Sequence, residues 1–181
     1  MYFFSKMFGY IKLFLYLCSG NVLIGVCMEG IKPLTIDELY ISPFTARRVY
    51  DEDGRMRWLT VERNLSPTGQ RHLDFIARSF VEGHSDYSWM ASQLGCSREE
   101  LWGLIRALTG MDAREFRREY MFRMADDLLR YTTMTIAEVA RRVGSGTAAR
   151  LCQLYVKNRG ITPAAHRRAL RGDRDAGKYR V

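Results

Sequence analysis

Residues 138–163 read EVARRVGSGTAARLCQLYVKNRGITP. The stretch opens with apolar residues at helical spacing and breaks at Gly144-Ser145-Gly146. A second helical run follows and stops at Gly160, and Pro163 can begin a third helix. Two short helices around a tight, glycine-bearing turn are either a unit that presents its second helix to a partner or a plain helical hairpin. The flanking sequence decides between them.

Immediately upstream, Thr135-x-x-Glu138 is a capping box. Ile136, Val139 and Val143 supply the core of the first helix, and Leu151, Leu154 and Tyr155 that of the second. The last helix is PAAHRRALR, 163–171. Before the capping box, Phe116, Tyr120, Met124 and Leu128 recur every four residues within 111–132. That stripe predicts one connecting helix of roughly 18 residues, about 27 Å long. Further upstream the scheme occurs again. In 66–84, Leu73, Phe75, Ile76, Phe80 and Val81 have helical spacing, with Pro67 near the start and Gly83 past the end. SDYSWMASQLG follows, with Ser85 as its N-cap and Gly95 as its stop. Ser97-x-x-Glu100 then caps SREELWGLIRALTG, which closes at Gly110. The expected fold is mainly all-α: two helix-turn-helix units joined by a long linker helix, with a small N-terminal β-hairpin and an apolar N-terminal segment.

This ordered pattern resembles the DNA-binding region of the AraC/XylS family of bacterial transcription regulators. The matching pieces are Ala91-x-x-Leu94-Gly95-x-Ser97, Leu101, Leu108-Thr109-Gly110, Ala125-x-x-Leu128-Leu129, Ile136-x-Glu138-Val139-Ala140-x-x-Val143-Gly144 and Gly160-Ile161-Thr162-Pro163. The Ala107-to-Gly110 wording is similar to Bacteroidetes versions. The resemblance covers 66–171, and none is apparent for 1–65.

The resemblance implies that the second helix of each unit enters a major-groove segment on one face of double-stranded DNA. The implied contact residues are Arg98, Glu99, Trp102 and Arg106 in the first unit, beside Gly103. In the second they are Thr147, Ala148, Ala149, Arg150, Gln153 and Lys157, beside Cys152. Gln153 can read adenine, whereas the alanines can only touch a thymine methyl. Arg150, Lys157 and Arg159 suit phosphates. Three departures stand out: Gly103 and Met121 where the family often has Arg, and Ser145 where it usually buries Phe. Losing a buried aromatic costs roughly 3–5 kcal/mol if the site cannot relax. The departures imply a DNA binder with modest discrimination and strong salt dependence. They also keep an alternative open: a degenerate helix-turn-helix module acting through protein contacts, either free or tethered to a membrane by residues 1–27.

Charge distribution supports a polyanionic partner. The chain of 181 residues carries a net +8, and residues 141–181 hold eleven Arg or Lys against two acids. Residues 172–181, GDRDAGKYRV, read as a solvated basic tail. Cys18, Cys27, Cys96 and Cys152 form no CxxC pair, and His72, His84 and His166 are scattered. The cysteines are expected to be reduced and mostly buried in a cytoplasmic protein, with no metal site and no cofactor. No nucleophile, base and orienter share a motif, so no enzyme is expected.

Residues 1–27, MYFFSKMFGYIKLFLYLCSGNVLIGVC, are apolar. Their uncharged run, 13–27, has 15 residues, short of the about 20 that a spanning helix needs. Three readings stand: a start placed upstream of Met28, a membrane anchor or signal, or a core helix. The first is preferred, so membrane contact is not favoured. In 28–65, RRVY-DEDG-RMRWLTVE reads as strand, turn, strand, with Asp53-Gly54 as the turn pair. One hairpin is marginal alone and must pack on the helices or pair with another chain. A homodimer through this N-terminal region is the second partner expected.

Overall fold

The order of elements is helix α1 (Ile36–Leu39), strands β1 (Ala46–Tyr50) and β2 (Met56–Thr60), then seven helices. These are α2 (Arg71–Glu82), α3 (Tyr87–Leu94), α4 (Arg98–Thr109), α5 (Ala113–Tyr131), α6 (Ile136–Arg142), α7 (Ala148–Arg159) and α8 (Pro163–Leu170). A two-residue strand, β3 (Tyr179–Arg180), ends the chain. They come from a computed structural model that describes residues 32–181, and 33–181 form one unit. The readings of 1–27 fall outside the described residues. Among the described residues no helix is long and apolar enough to cross a membrane.

Side-chain caps set the helix starts. Thr135 and Ser97 accept from the backbone N–H groups of Glu138 and Glu100, and each glutamate accepts in return from the cap residue's N–H. Both expected boxes are thus present. Asp112 accepts from the N–H groups of Arg114 and Glu115 and begins α5. Thr162 caps α8, whose first residue is Pro163. Two starts differ from expectation. The N-cap of α3 is Asp86, not Ser85. Both residue types suit that role, and Ser85 Oγ is engaged elsewhere by Arg117. Helix α2 begins only at Arg71, because 67–70 turn inward where Thr68 donates to the buried Asp74 carboxylate.

Helix α5 has 19 residues, about 28 Å of rise. Phe116, Tyr120, Met124 and Leu128 are at most 1% exposed, as the stripe requires. Phe122, Ala125 and Leu129 are buried as well, because helices pack on both sides of the rod. Its first half receives α2 to α4: Phe80 contacts Phe116 and Tyr120, and Tyr87 Oη donates to Ala113 O at 2.7 Å. Its second half shares a core with Val139, Ala140, Val143, Leu151 and Tyr155 of the second unit.

The hairpin forms in the expected place, with Arg48 opposite Trp58. It packs on the helices and gains a third strand, so the antiparallel order is β2-β1-β3. Phe44 stacks on Tyr179 at 4.5 Å, and both meet Tyr131 at the end of α5 edge-on. Residues 172–181 are therefore not a solvated tail. Arg130 donates to Asp175 at 2.8 Å, and Arg48 N–H donates to Lys178 O.

Candidate nucleic-acid interface

The first helix pair is α3 and α4. Leu101, Ile105 and Leu108 turn one side of α4 into the core. The opposite side exposes Arg98, Glu99, Gly103 and Arg106, while Trp102 is half-buried. Arg98 lies over the Trp102 ring at 4.8 Å and contacts Glu99 at 3.3 Å. These contacts set the guanidinium beside the tryptophan while the Arg98 side chain stays 49% exposed. The indole N–H of Trp102 has no partner.

The second pair is α6 and α7. Leu151 and Tyr155 anchor α7. Ala149, Arg150, Gln153 and Lys157 are exposed, and Ala148 and Cys152 are half-buried. Thr147 is the N-cap, and its hydroxyl oxygen accepts from the Arg150 N–H. All the residues expected at the interface thus lie on the outer sides of α4 and α7 or at the α7 cap.

The basic charge divides into two classes that the sequence does not separate. Arg159 is not a free phosphate partner. It donates to Asp126 at 2.6 Å and lies over Phe122 and Tyr155. Arg167 donates to Met134 O, and Arg171 donates to the carbonyls of Leu129, Arg130 and Thr132 at the end of α5. Burial and the nearby Arg171 charge hold the Arg167 pKa below the usual arginine value. Arg141, Arg150, Lys157 and Arg168 are exposed and make no ion pair among the described residues. They are among the cations left to meet an anion.

Asp126 is the junction of the second unit. It accepts from Tyr155 Oη at 2.9 Å and from Arg159, and His166 Nε2 lies 2.9 Å away. The linker helix, α7 and α8 are thereby tied at one carboxylate. Burial, and then Asp126, push the Tyr155 hydroxyl well above the ordinary tyrosine pKa. Ser145 is 6% exposed and donates through Oγ to Ala140 O at 3.0 Å. Met121 joins the core at 8% exposure.

Arg117 was not singled out by sequence. Its Nη2 donates to Ser85 Oγ at 2.9 Å and to Gly144 O at 3.4 Å. It therefore bridges the entry to α3 and the turn after α6. Gly144 has φ +73°, a left-handed backbone that favours glycine, while a Cβ there would make only an ordinary 3.4 Å contact with Ser85 Oγ. Only an arginine on the helix that carries both units hints at this, and many such arginines are simply solvated.

Cys96 and Cys152 are free and half-buried, less enclosed than expected. Among the described residues no cluster of His, Cys, Asp and Glu could hold a metal ion.

Two capped helix pairs on one rod define a helix-turn-helix architecture. Residues 90–169, from within α3 to within α8, match the family described as "Helix-turn-helix domain". The chain is similar to the C-terminal domain of AraT, a response regulator from Geobacillus stearothermophilus. Identity is 26%, coverage is 59% of this chain and 88% of that one, and the TM-score is 0.51. The C-terminal domain of the two-component response regulator yesN from Fusobacterium nucleatum subsp. nucleatum shares the fold at 20% identity. There 55% of this chain and 96% of that one are covered, with a TM-score of 0.50. No curated protein matches the chain.

Proposed function

We propose that the protein is a non-enzymatic, cytoplasmic transcription regulator. It binds double-stranded DNA with α4 and α7 in successive major-groove segments. The observation that carries this reading is the pairing of exposed side chains with a rigid mount. Arg98, Glu99, Trp102 and Arg106 on α4, and Thr147, Ala148, Ala149, Arg150, Gln153 and Lys157 at α7, sit opposite the buried faces of two helices fixed to one rod. Arg150 and Lys157 neutralise phosphates, Gln153 reads adenine, and Ala148 and Ala149 touch thymine methyls. Arg98 and Arg106 contribute cations from the first unit. The residue types favour phosphate over base contact, so affinity exceeds discrimination. The second partner is another copy of the chain, joined through the N-terminal region. Membrane contact by 1–27 is not favoured.

The alternative, a degenerate module working through protein contacts, draws support from Gly103, Ala148 and Ala149, which offer no side-chain hydrogen bond to a base. The buried and fully bonded Ser145 speaks for an ordered second unit instead. Affinity for the protein's own promoter fragment and for a random duplex, measured against salt, separates the two. If the four cations Arg98, Arg106, Arg150 and Lys157 meet phosphates, log K falls with log salt at a slope of about −3.6. A slope near zero on both duplexes rejects the DNA reading.

A further inference from the structure

Among the described residues strand β2 is an edge of the sheet, and its backbone parity shows which groups it leaves unpaired there. Arg48 N–H donates to Lys178 O, so the even residues of β1 turn toward β3 and the odd ones toward β2. Asp51 N–H donates to Arg55 O, and Val61 N–H donates to Thr45 O, in the same phase. With Val49 opposite Arg57 and Arg47 opposite Leu59, those two β2 residues spend their backbone groups on β1. Met56, Trp58 and Thr60 therefore direct their N–H and C=O groups away from the sheet. Met56, Arg57, Leu59 and Thr60 are exposed along this edge. An open edge of this kind is a template for another strand.

We propose that the strand completing this edge is β2 of a second copy. Antiparallel self-pairing centred on Trp58 makes a continuous six-stranded sheet across a twofold axis. This inference deepens the homodimer in the functional reading, and it does not depend on DNA binding.

Charge selects that register. Centring on Trp58 sets Arg57 opposite Leu59 of the other copy, Met56 opposite Thr60, and Arg55 opposite Val61. No like charges face one another, and continuing the same pairing brings Asp53 beside Arg63 of the other copy. The two neighbouring registers with the same backbone parity are worse. Centring on Arg57 sets that arginine opposite itself, and centring on Leu59 opposes Arg55 with Arg63 and loses the Asp53–Arg63 match. The twofold pairing also uses the same edge on both copies, so it closes at a dimer. Its strands are only five residues long, so its area falls below the about 800 Å² per partner of a standard interface, and association is weak and concentration-dependent. On DNA such a dimer suits an inverted repeat.

Sedimentation equilibrium of the full chain over a wide concentration range tests the pairing without DNA. The wild type is expected to pass from monomer to dimer. Thr60→Pro removes only an outward-facing donor, a change that an edge strand accepts. It should weaken the dimer at least tenfold while the circular dichroism spectrum stays the same. Leu59→Arg faces Arg57 of the other copy and should weaken it. Leu59→Glu should tighten it. A strictly monomeric wild type at all concentrations, open-ended oligomers, or a dimer indifferent to Thr60→Pro would overturn the proposal. Equal effects of Leu59→Arg and Leu59→Glu would overturn the register. A flat salt slope on DNA with these results intact would reject the DNA reading alone.

Discussion

Two arginines nine residues apart on α7 have opposite fates. Arg150 is exposed without an acidic partner, whereas Arg159 is folded against Asp126, Phe122 and Tyr155. Substituting each therefore separates binding from stability. Arg150→Ala and Lys157→Ala should each lower affinity about equally on all sequences and reduce the salt slope by about 1, measured by fluorescence anisotropy. Arg159→Met should leave the slope unchanged and lower stability by about 1–2 kcal/mol in urea, since a charge-assisted bond and ring packing are lost. Gln153→Ala should relax preference at one base position with little change in slope. The residue types alone could not reveal this division. All three cations look alike in sequence, and only the fold shows that Asp126 lies beside one of them.

The exposed glutamates of the capping boxes carry a pH signature. Ser97 and Thr135 hydrogen bonds hold Glu100 and Glu138 below their usual carboxylate pKa. A carboxyl whose folded pKa is depressed stabilises the fold above its unfolded value, and that stability is lost as pH falls through the folded one. The melting temperature should accordingly drop as pH is lowered from about 5 toward 3. Glu100→Gln and Glu138→Gln should flatten part of that drop in a calorimetric pH series, because a glutamine does not titrate.

At the scale of elements, what could be read in the sequence followed the range of the forces involved. The capping boxes, the glycine stops, the α5 stripe and the hairpin depend on residues a few positions apart and stand as expected. The hairpin corner, however, falls at Glu52-Asp53, with Gly54 N–H donating to Asp51 O and Gly54 left-handed at φ +74°. The α3 cap slipped by one because Ser85 and Asp86 are chemically equivalent there, and Arg117 claims the serine. Strand β3 was invisible, since its two residues are a strand only through pairing with β1 across more than a hundred residues. The Ser145 expectation rested on the size of the residue usually found there. The serine hydroxyl there is buried and donates to Ala140 O. The outward placement of the residues proposed for the interface was legible because helical periodicity sorts the two sides of α4 and α7.

Arg117 belongs to this scale as well, since it joins elements and contacts no ligand. Arg117→Met keeps most of the aliphatic stem and removes the donors to Ser85 and Gly144. It should cost about 1–2 kcal/mol in urea unfolding. In the proposed DNA complex it should also broaden the tolerance for base pairs inserted between the two groove segments. Equal spacing preference for wild type and variant in a panel of duplexes would show that the bridge does not set the geometry.

At the largest scale, residues 33–181 form a rod with two mounted helices and a sheet at one end. Helix α5, about 28 Å long, shares buried cores with both helix pairs. Its length is on the scale of one turn of duplex DNA, about 34 Å, so two groove segments on one face are within reach. Tyr120 reinforces the rod, donating to Ala77 O and accepting from Ile41 N–H. The sheet grips the far end through Tyr131 and closes the chain's C-terminus onto the N-terminal hairpin. Hydroxyl-radical footprinting of the full chain on its promoter fragment tests the central claim most directly. The account predicts two protected patches on one face of the duplex, about 10–10.5 base pairs apart. A single patch, or protection on opposite faces, would contradict it.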